Sequence, residues 1–168
     1  MSTTLHSKFL ELLFTHQKTV NQVFKDVLGL HDINHIALSY VTDNQEMISL
    51  SSTPSLEFNL FSSALWPFDR TYQSDWYELC TSSPWQALYA PTHYQALYDL
   101  KQQKHGYIIG LSFAEKLEHG HMIYSIASLK DTPETRDLFA TQQDDFCRIG
   151  QYCRQLLLPV FKSQTHDV

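Results

Sequence analysis

Hydrophobic positions recur along the chain at two periods, and the change from one to the other predicts its elements. Between residues 3 and 28, Leu5, Phe9, Leu12, Leu13, His16, Val20, Val23, Phe24 and Val27 return every three or four positions. That is the stripe of one amphipathic helix. Gly29 follows as a left-handed stop, and His16, lying on the stripe, is expected to be a satisfied core histidine. From 34 to 41 the period becomes two. Ile36, Leu38 and Tyr40 share one face, a Thr-Asp-Asn-Gln turn follows, and 46–52 continues as a second strand of a β-hairpin. Thr53-Pro54 predicts a helix start, running to about Leu65, and Trp66-Pro67 breaks it. Beyond an irregular stretch with a short helix from Ser74 to Cys80, residues 92–104 predict a helix capped by Lys104, His105 and Gly106. Tyr107–Ala114 and His121–Ser128 form a second apolar hairpin. A last helix opens at Asp131-Thr132-Pro133-Glu134 and carries the stripe Leu138, Gln142, Phe146, Ile149, Cys153, Leu156 and Val160. Pro159 is expected to end it.

Hairpins separated by helices predict an α+β fold with helices packed on an antiparallel sheet. Four strands are clear, and a fifth is expected near Trp85–Tyr89. No low-complexity linker interrupts residues 1–168, so the expectation is a single domain. A chain of 168 residues buries roughly 70% of its unfolded surface, enough for one core.

Charge and special residues narrow the function classes. Twelve Lys and Arg against eighteen Asp and Glu leave −6, which disfavours a nucleic-acid or anionic-membrane partner. The longest apolar stretch, Tyr107–Ala114, is too short to span a bilayer, and the N-terminus lacks the pattern of a signal peptide. Three cysteines, an odd number, point to a reducing compartment and a cytoplasmic location. Cys80, Cys147 and Cys153 are read as small buried apolar side chains. No glycine lies between positions 30 and 105, and neither GxGxxG nor GxxxxGK[ST] occurs, nor GxSxG nor HExxH. Nine histidines include His119 and His121 beside Glu115 and Glu118, but two ligands on a turn make no metal site. Asp144-Asp145, Glu57 and Glu78 pair with no nucleophile by spacing. The expectation is no metal, no cofactor and no catalysis.

The segment Phe58–Tyr98 stands apart. It holds eleven of the chain's 22 aromatic residues, including all three tryptophans, and Arg70 is the only Lys or Arg between Lys25 and Lys101. Long connections are normally polar, because they run over the surface. An aromatic one must fold onto something apolar. Three readings are open: a wall over a ligand pocket with Tyr72, Trp76, Asp75 and Arg70 as its polar groups, a second small core without a ligand, or a protein–protein patch. Arg70, flanked by Asp69 and Asp75, is expected in a structural ion pair.

Residues 105–131, HGYIIGLSFAEKLEHGHMIYSIASLKD, resemble part of the autoinducer-binding domain of LuxR-type quorum-sensing regulators. Gly106 to Phe113 is similar to that family's glycine-led strand, and Ile126-Ala127-Ser128 to its small-residue strand end. The resemblance implies a PAS/GAF-like α-β-α sandwich with a central antiparallel sheet of about five strands. It also implies a small apolar signal, acyl-homoserine-lactone-like, held between the sheet and an aromatic flap, here Phe58–Tyr98. The candidate ligand-binding residues are Trp66, Tyr72, Asp75, Trp76, Trp85, Tyr89, Gly110 and Ser112. Where the family's flap carries Trp, Tyr and then Asp-Pro, here Asp75 precedes Trp76 and no Asp-Pro follows. Full regulators continue into a basic helix-turn-helix domain. No basic recognition helix precedes Val168, so the expectation is a stand-alone bacterial sensor module without its own DNA-binding domain, acting in transcription regulation. The competing expectation is a protein-interaction module that forms a homodimer or heterodimer. It would be a dimerisation partner or inhibitor of a full-length regulator, or a bacterial effector that binds a host protein.

Overall fold

The computed structural model describes residues 2–165. Six strands form one sheet: β1 (Thr4–Leu5), β2 (His35–Val41), β3 (Glu46–Ser51), β4 (Ser82–Pro84), β5 (Ile109–Lys116) and β6 (His121–Ser128). Their order is β1-β3-β2-β6-β5-β4, with β1 parallel to β3 and every other pair antiparallel. The two predicted hairpins are the four central strands. β4 lies just before the expected position of a fifth strand, and Trp85–Leu88 is instead a helical turn.

Eight helices cover the sheet: α1 (Phe9–Phe14), α2 (Gln17–Lys25), α3 (Pro54–Ser62), α4 (Ser74–Tyr77), α5 (Trp85–Leu88), α6 (Tyr94–Tyr98), α7 (Pro133–Thr141) and α8 (Gln143–Thr165). Alternation along the strands sends large side chains to one face. There Ile36, Leu38, Tyr40, Ile48, Leu50, Leu111, Phe113, Tyr124 and Ile126 pack with Val20 and Phe24 of α2, Phe139 of α7, and Phe146, Cys153, Leu157 and Phe161 of α8. The opposite face is closed by α1, α3 and the aromatic segment through Phe9, Leu13, Leu56, Leu60, Phe61, Tyr72, Trp76, Trp85 and Tyr89. The result is an α-β-α sandwich.

Several expectations are corrected. The predicted helix over 3–28 is a short strand and two helices, with a break at His16, which is left-handed at φ 57°. The cause is topological: Leu12 and Val20 bury on one face of the sheet, Phe9 and Leu13 on the other. A straight helix cannot cover both, so the chain turns at the sheet edge, and His16 is exposed there rather than in the core. The last helix is two, separated at Gln142, and Pro159 does not end it. Pro159 and Gln155, whose carbonyl loses its helical partner, both face solvent, while buried Phe161 anchors the following turn. The helix over 92–104 shortens to α6 and then widens into a π-helical turn at Asp99–Lys104. That turn carries both Lys101 and Gln102 inward. Thr53 makes no side-chain cap, because its hydroxyl meets Tyr107 Oη at 2.6 Å. Cys80 is exposed, Cys147 half-buried and Cys153 buried. Burial pushes the Cys153 thiol up to about 12.

Candidate ligand-binding site

The sheet face beneath the aromatic segment is rich in small side chains, with Val41, Met47 and Ile123 as larger members toward one end. One transverse row reads Ser51, Ala37, Ser125, Ser112 and Ser83, each the register partner of the next. The row beside it begins Ser49 and Ser39, and the row on the other side runs His35, Ala127 and Gly110. Side chains this small lift the covering layer little above the strands. The closest approach is at Gly110, where a Cβ would come within 2.0 Å of the Trp85 ring. The indole therefore lies flat on the strand backbone.

The covering layer is aromatic and only loosely regular. Between α3 and α6 it contains helices of four residues, a strand of three and 3-10 turns. Tyr72, Trp76, Tyr77, Trp85 and Tyr89 are buried, and Trp66 is half-buried against Phe61, with ring centroids 5.4 Å apart. Trp76 Nε1 donates to Ser83 Oγ at 3.1 Å. Tyr89 Oη donates to Gln102 Oε1 at 3.1 Å, and Gln102 Nε2 donates to the Ile108 carbonyl at 2.7 Å. Burial, and then the nearby Asp69 carboxylate, raise the Tyr72 phenol well above its ordinary range, and a hydrogen bond with Ser125 opposes the rise. Tyr89 is raised by the same two causes.

Two pairs of charged or titratable groups are sealed inside this side of the molecule. Lys101 Nζ donates to Asp69 Oδ2 at 2.9 Å, and Asp69 Oδ1 accepts from the Thr71 amide at 3.1 Å. The ammonium also stands 3.9 Å from the centroid of Trp85. This pair is well satisfied. The second is not. His35 Nε2 and Glu57 Oε1 lie 3.4 Å apart without the alignment of a hydrogen bond. His35 Nδ1, His35 Nε2, Glu57 Oε2 and Trp85 Nε1 are four of the five buried side-chain polar atoms without a hydrogen-bond partner among the described residues. Native interiors leave few such atoms. Here they concentrate in one place, since the His35 ring lies 6.1 Å from Trp85 and 4.9 Å from Tyr107.

Of the candidate residues read from the sequence, Tyr72, Trp76, Trp85 and Tyr89 come together in one buried cluster over Gly110 and Ser112. Trp66 borders it. Asp75 does not join. Its side chain is 74% exposed and sits 3.9 Å from Arg70 on the surface. Asp69, the other expected partner of Arg70, turns inward to Lys101. Sequence reading missed His35, Glu57, Asp69 and Lys101 as members of the site. Trp85 is also a wall of a half-open cleft of about 360 Å³. Gln86, Gln102, Gly110, Leu111, Arg136 and Phe139 complete most of its lining. That volume lies within the range of small-molecule sites. No group of three metal-ligating side chains occurs among the described residues, and no described helix is long and apolar enough to cross a membrane.

The fold is an α-β-α sandwich with an open sheet, antiparallel except at β1, as in the PAS/GAF-like class. Among solved structures it is similar to the crystal structure of Escherichia coli SdiA, with a TM-score of 0.61 and 12% sequence identity. The match covers 89% of this chain and 65% of the SdiA chain, and at that identity it is a likeness of fold. No model of a known protein family matches the chain, and no curated protein does.

Proposed function

We propose that this chain is a signal-binding module of the LuxR type. It takes a small apolar-bodied molecule between the small-residue face of its sheet and the aromatic segment, and it carries out no reaction on it. The observation that carries this reading is the pairing of a Ser/Ala/Gly sheet face with a cover made of aromatic rings on short, weakly regular turns. Small floor residues make room when the cover lifts, and lifting it breaks little regular structure. The unpartnered polar atoms of His35, Glu57 and Trp85 between the layers add a second support. The fold likeness to SdiA, a LuxR-type autoinducer-binding regulator, is a third. The free thiols of Cys80, Cys147 and Cys153 suit a cytoplasmic receptor.

Binding would order the aromatic segment and add stability by mass action, about 2.7 kcal/mol at a hundredfold excess over Kd. Thermal unfolding with a panel of acyl-homoserine lactones and related lipids tests this. A rise in Tm with at least one of them is the expected result, and no rise with any would sink the proposal. The competing reading, an interaction module, has one observation behind it. Leu10, Phe14 and Phe58 are exposed on α1 and α3, with the two phenyl rings 5.7 Å apart. On that reading sedimentation shows a dimer that Phe14→Ser disperses.

A further inference from the structure

We infer that the half-open cleft at the sheet edge is a second binding site, separate from the space between the layers, and that it takes a small carboxylate on an apolar body. It stands whether or not the interlayer space holds a guest.

The cleft exists because β4 is short. Its last pair with β5 is Pro84 with Leu111, after which the chain turns into α5. β5 begins at Ile109, so its first residues have no strand beside them on that edge among the described residues. The opening is lined from both layers: by Phe139, Ala140 and Gln143 of α7 and α8, and by Trp85 and Gln102 of the aromatic side. Of the eight ligand-binding residues read from the sequence, only Trp85 and Gly110 line it. Its volume of about 360 Å³ suits a small molecule.

The polar groups of the lining are unbalanced. In a chain of net charge −6, the cleft has no acidic side chain and one cation, Arg136. Its acceptors are engaged. Gln102 Oε1 accepts from Tyr89 Oη at 3.1 Å, the Ile108 carbonyl accepts from Gln102 Nε2 at 2.7 Å, and Gln143 Oε1 accepts from Ser82 Oγ at 2.7 Å. Its donors are not. Asp131 holds Arg136 by Nε, at 2.7 Å, and by Nη2, leaving Nη1 without a partner among the described residues. The same is true of Gln143 Nε2. Donors over an apolar lining of Trp85, Leu111 and Phe139 favour a head group that only accepts. A carboxylate does so with charge-assisted bonds and brings no hydrogen of its own to place. A primary amide brings two, and exposed Gln86 offers the only side-chain acceptor of the lining without a partner. An ammonium would meet Arg136 as a like charge.

The test uses three probes with one body: 3-phenylpropanoate, 3-phenylpropanamide and 3-phenylpropylamine. Each is titrated into the whole chain near pH 7 and followed by calorimetry. The acid is expected to bind at least about tenfold more tightly than the amide, and the amine more weakly still. Arg136→Gln keeps an amide donor and removes the charge, and is expected to bring the acid down to the level of the amide. Ala140 is exposed and lies one turn from Arg136 on α7, so Ala140→Trp fills the cleft from the surface. It is expected to weaken the acid at least about tenfold while leaving the response to the lactone panel unchanged. The selectivity of the unaltered protein decides without any variant. Amide or amine matching the acid overturns the inference, and so does failure of all three probes. Undiminished binding of the acid to folded Ala140→Trp overturns it too, because the acid then sits elsewhere. None of these results touches the interlayer reading, which the lactone panel decides by itself.

Discussion

The two faces of the sheet come from the same strands and do different work. On one, large side chains alternate inward and meet α2 and the 23-residue α8. On the other, serine, alanine and glycine form most of the floor, beside Val41, Met47 and Ile123, and the cover is a chain of turns shorter than most helices. Each face has one glycine that lets a ring come close, in opposite senses. On the helical face the glycine is in the cover: a Cβ on Gly150 of α8 would meet Tyr124 at 2.7 Å. On the aromatic face it is in the floor: a Cβ on Gly110 of β5 would meet Trp85 at 2.0 Å. Rings rising from the sheet into a helix interlock and stay. Rings resting on a flat floor are as buried, with Trp76, Tyr77 and Trp85 at 3%, 1% and 1% exposure, but do not interlock with it. On the proposed reading, the difference separates a face that carries stability from a face that serves recognition.

The sharpest way to test this division is to remove one group from each side. Phe146→Ala leaves a cavity on the helical face and is expected to cost about 3–5 kcal/mol in urea unfolding, because the site is fully enclosed and cannot collapse. On the aromatic face the equivalent loss comes from charge. Lys101→Met strands Asp69, which is buried, and is expected to cost about 3–5 kcal/mol. Adding Asp69→Asn in the same chain should recover most of it, whereas no second polar change rescues Phe146→Ala. Failure of that recovery would mean the aromatic side is held by packing like the other.

A smaller effect is expected from Gly110→Ala. The new methyl must push Trp85 off β5, at about 1–3 kcal/mol by overpacking. Its signature is specific: tryptophan emission moves to longer wavelength, and the ligand response falls with it. Emission unchanged at full stability would show that the ring is not seated on the strand.

The sequence made the helical face legible and hid most of the other. Ile36, Leu38 and Tyr40, with the second hairpin, carry a period of two that no helix shares, so the four central strands follow directly. The small residues between them, Ala37, Ser39, Ser112, Ser125 and Ala127, carry the same period and mark the floor. Ser112 and Ala127 entered only through the family resemblance, and Ala37, Ser39 and Ser125 drew no attention, because alternation is usually read from its large members. β1 and β4, two and three residues long, are too short to show any period. The break at His16 was invisible for a different reason: the hydrophobic spacing continues through it, and only the sheet edge decides where the helix turns. Trp85 and Tyr89 stood out by composition. His35, Glu57, Asp69 and Lys101 did not, since their pairing depends on how distant segments cross, 32 positions apart for Asp69 and Lys101. Asp75 was attractive by its position before Trp76, yet its place on the exposed side of α4 was set by packing.

The last and smallest expected difference between the faces is their response to acid. His105 and His121 both border the aromatic side: Asn59 of α3 lies 3.0 Å from His105 Nε2, and the His121 ring lies 5.3 Å from Tyr77. Burial lowers both pKa values below the ordinary 6.5, helped at His105 by Lys104 and at His121 by Lys116, while Glu57 opposes at His105, and Glu78 and Asp43 oppose at His121. The folded state therefore binds these protons less readily than the unfolded chain. The stability they confer is full above 6.5 and is lost as pH falls through the lowered folded values. Asp32 and Asp43 are lowered as well, but from 3.8, so they act only in stronger acid. Between about pH 7 and pH 5 the melting temperature should fall. His105→Gln with His121→Gln should flatten the profile there without moving its more acidic limb. Hydrogen exchange in the same range should quicken first in the turns around Tyr77 and the Asp99–Lys104 turn, and last in α8. Equal quickening in α8 would show that the faces open together, and that the aromatic cover is not the separately yielding layer that guest binding requires.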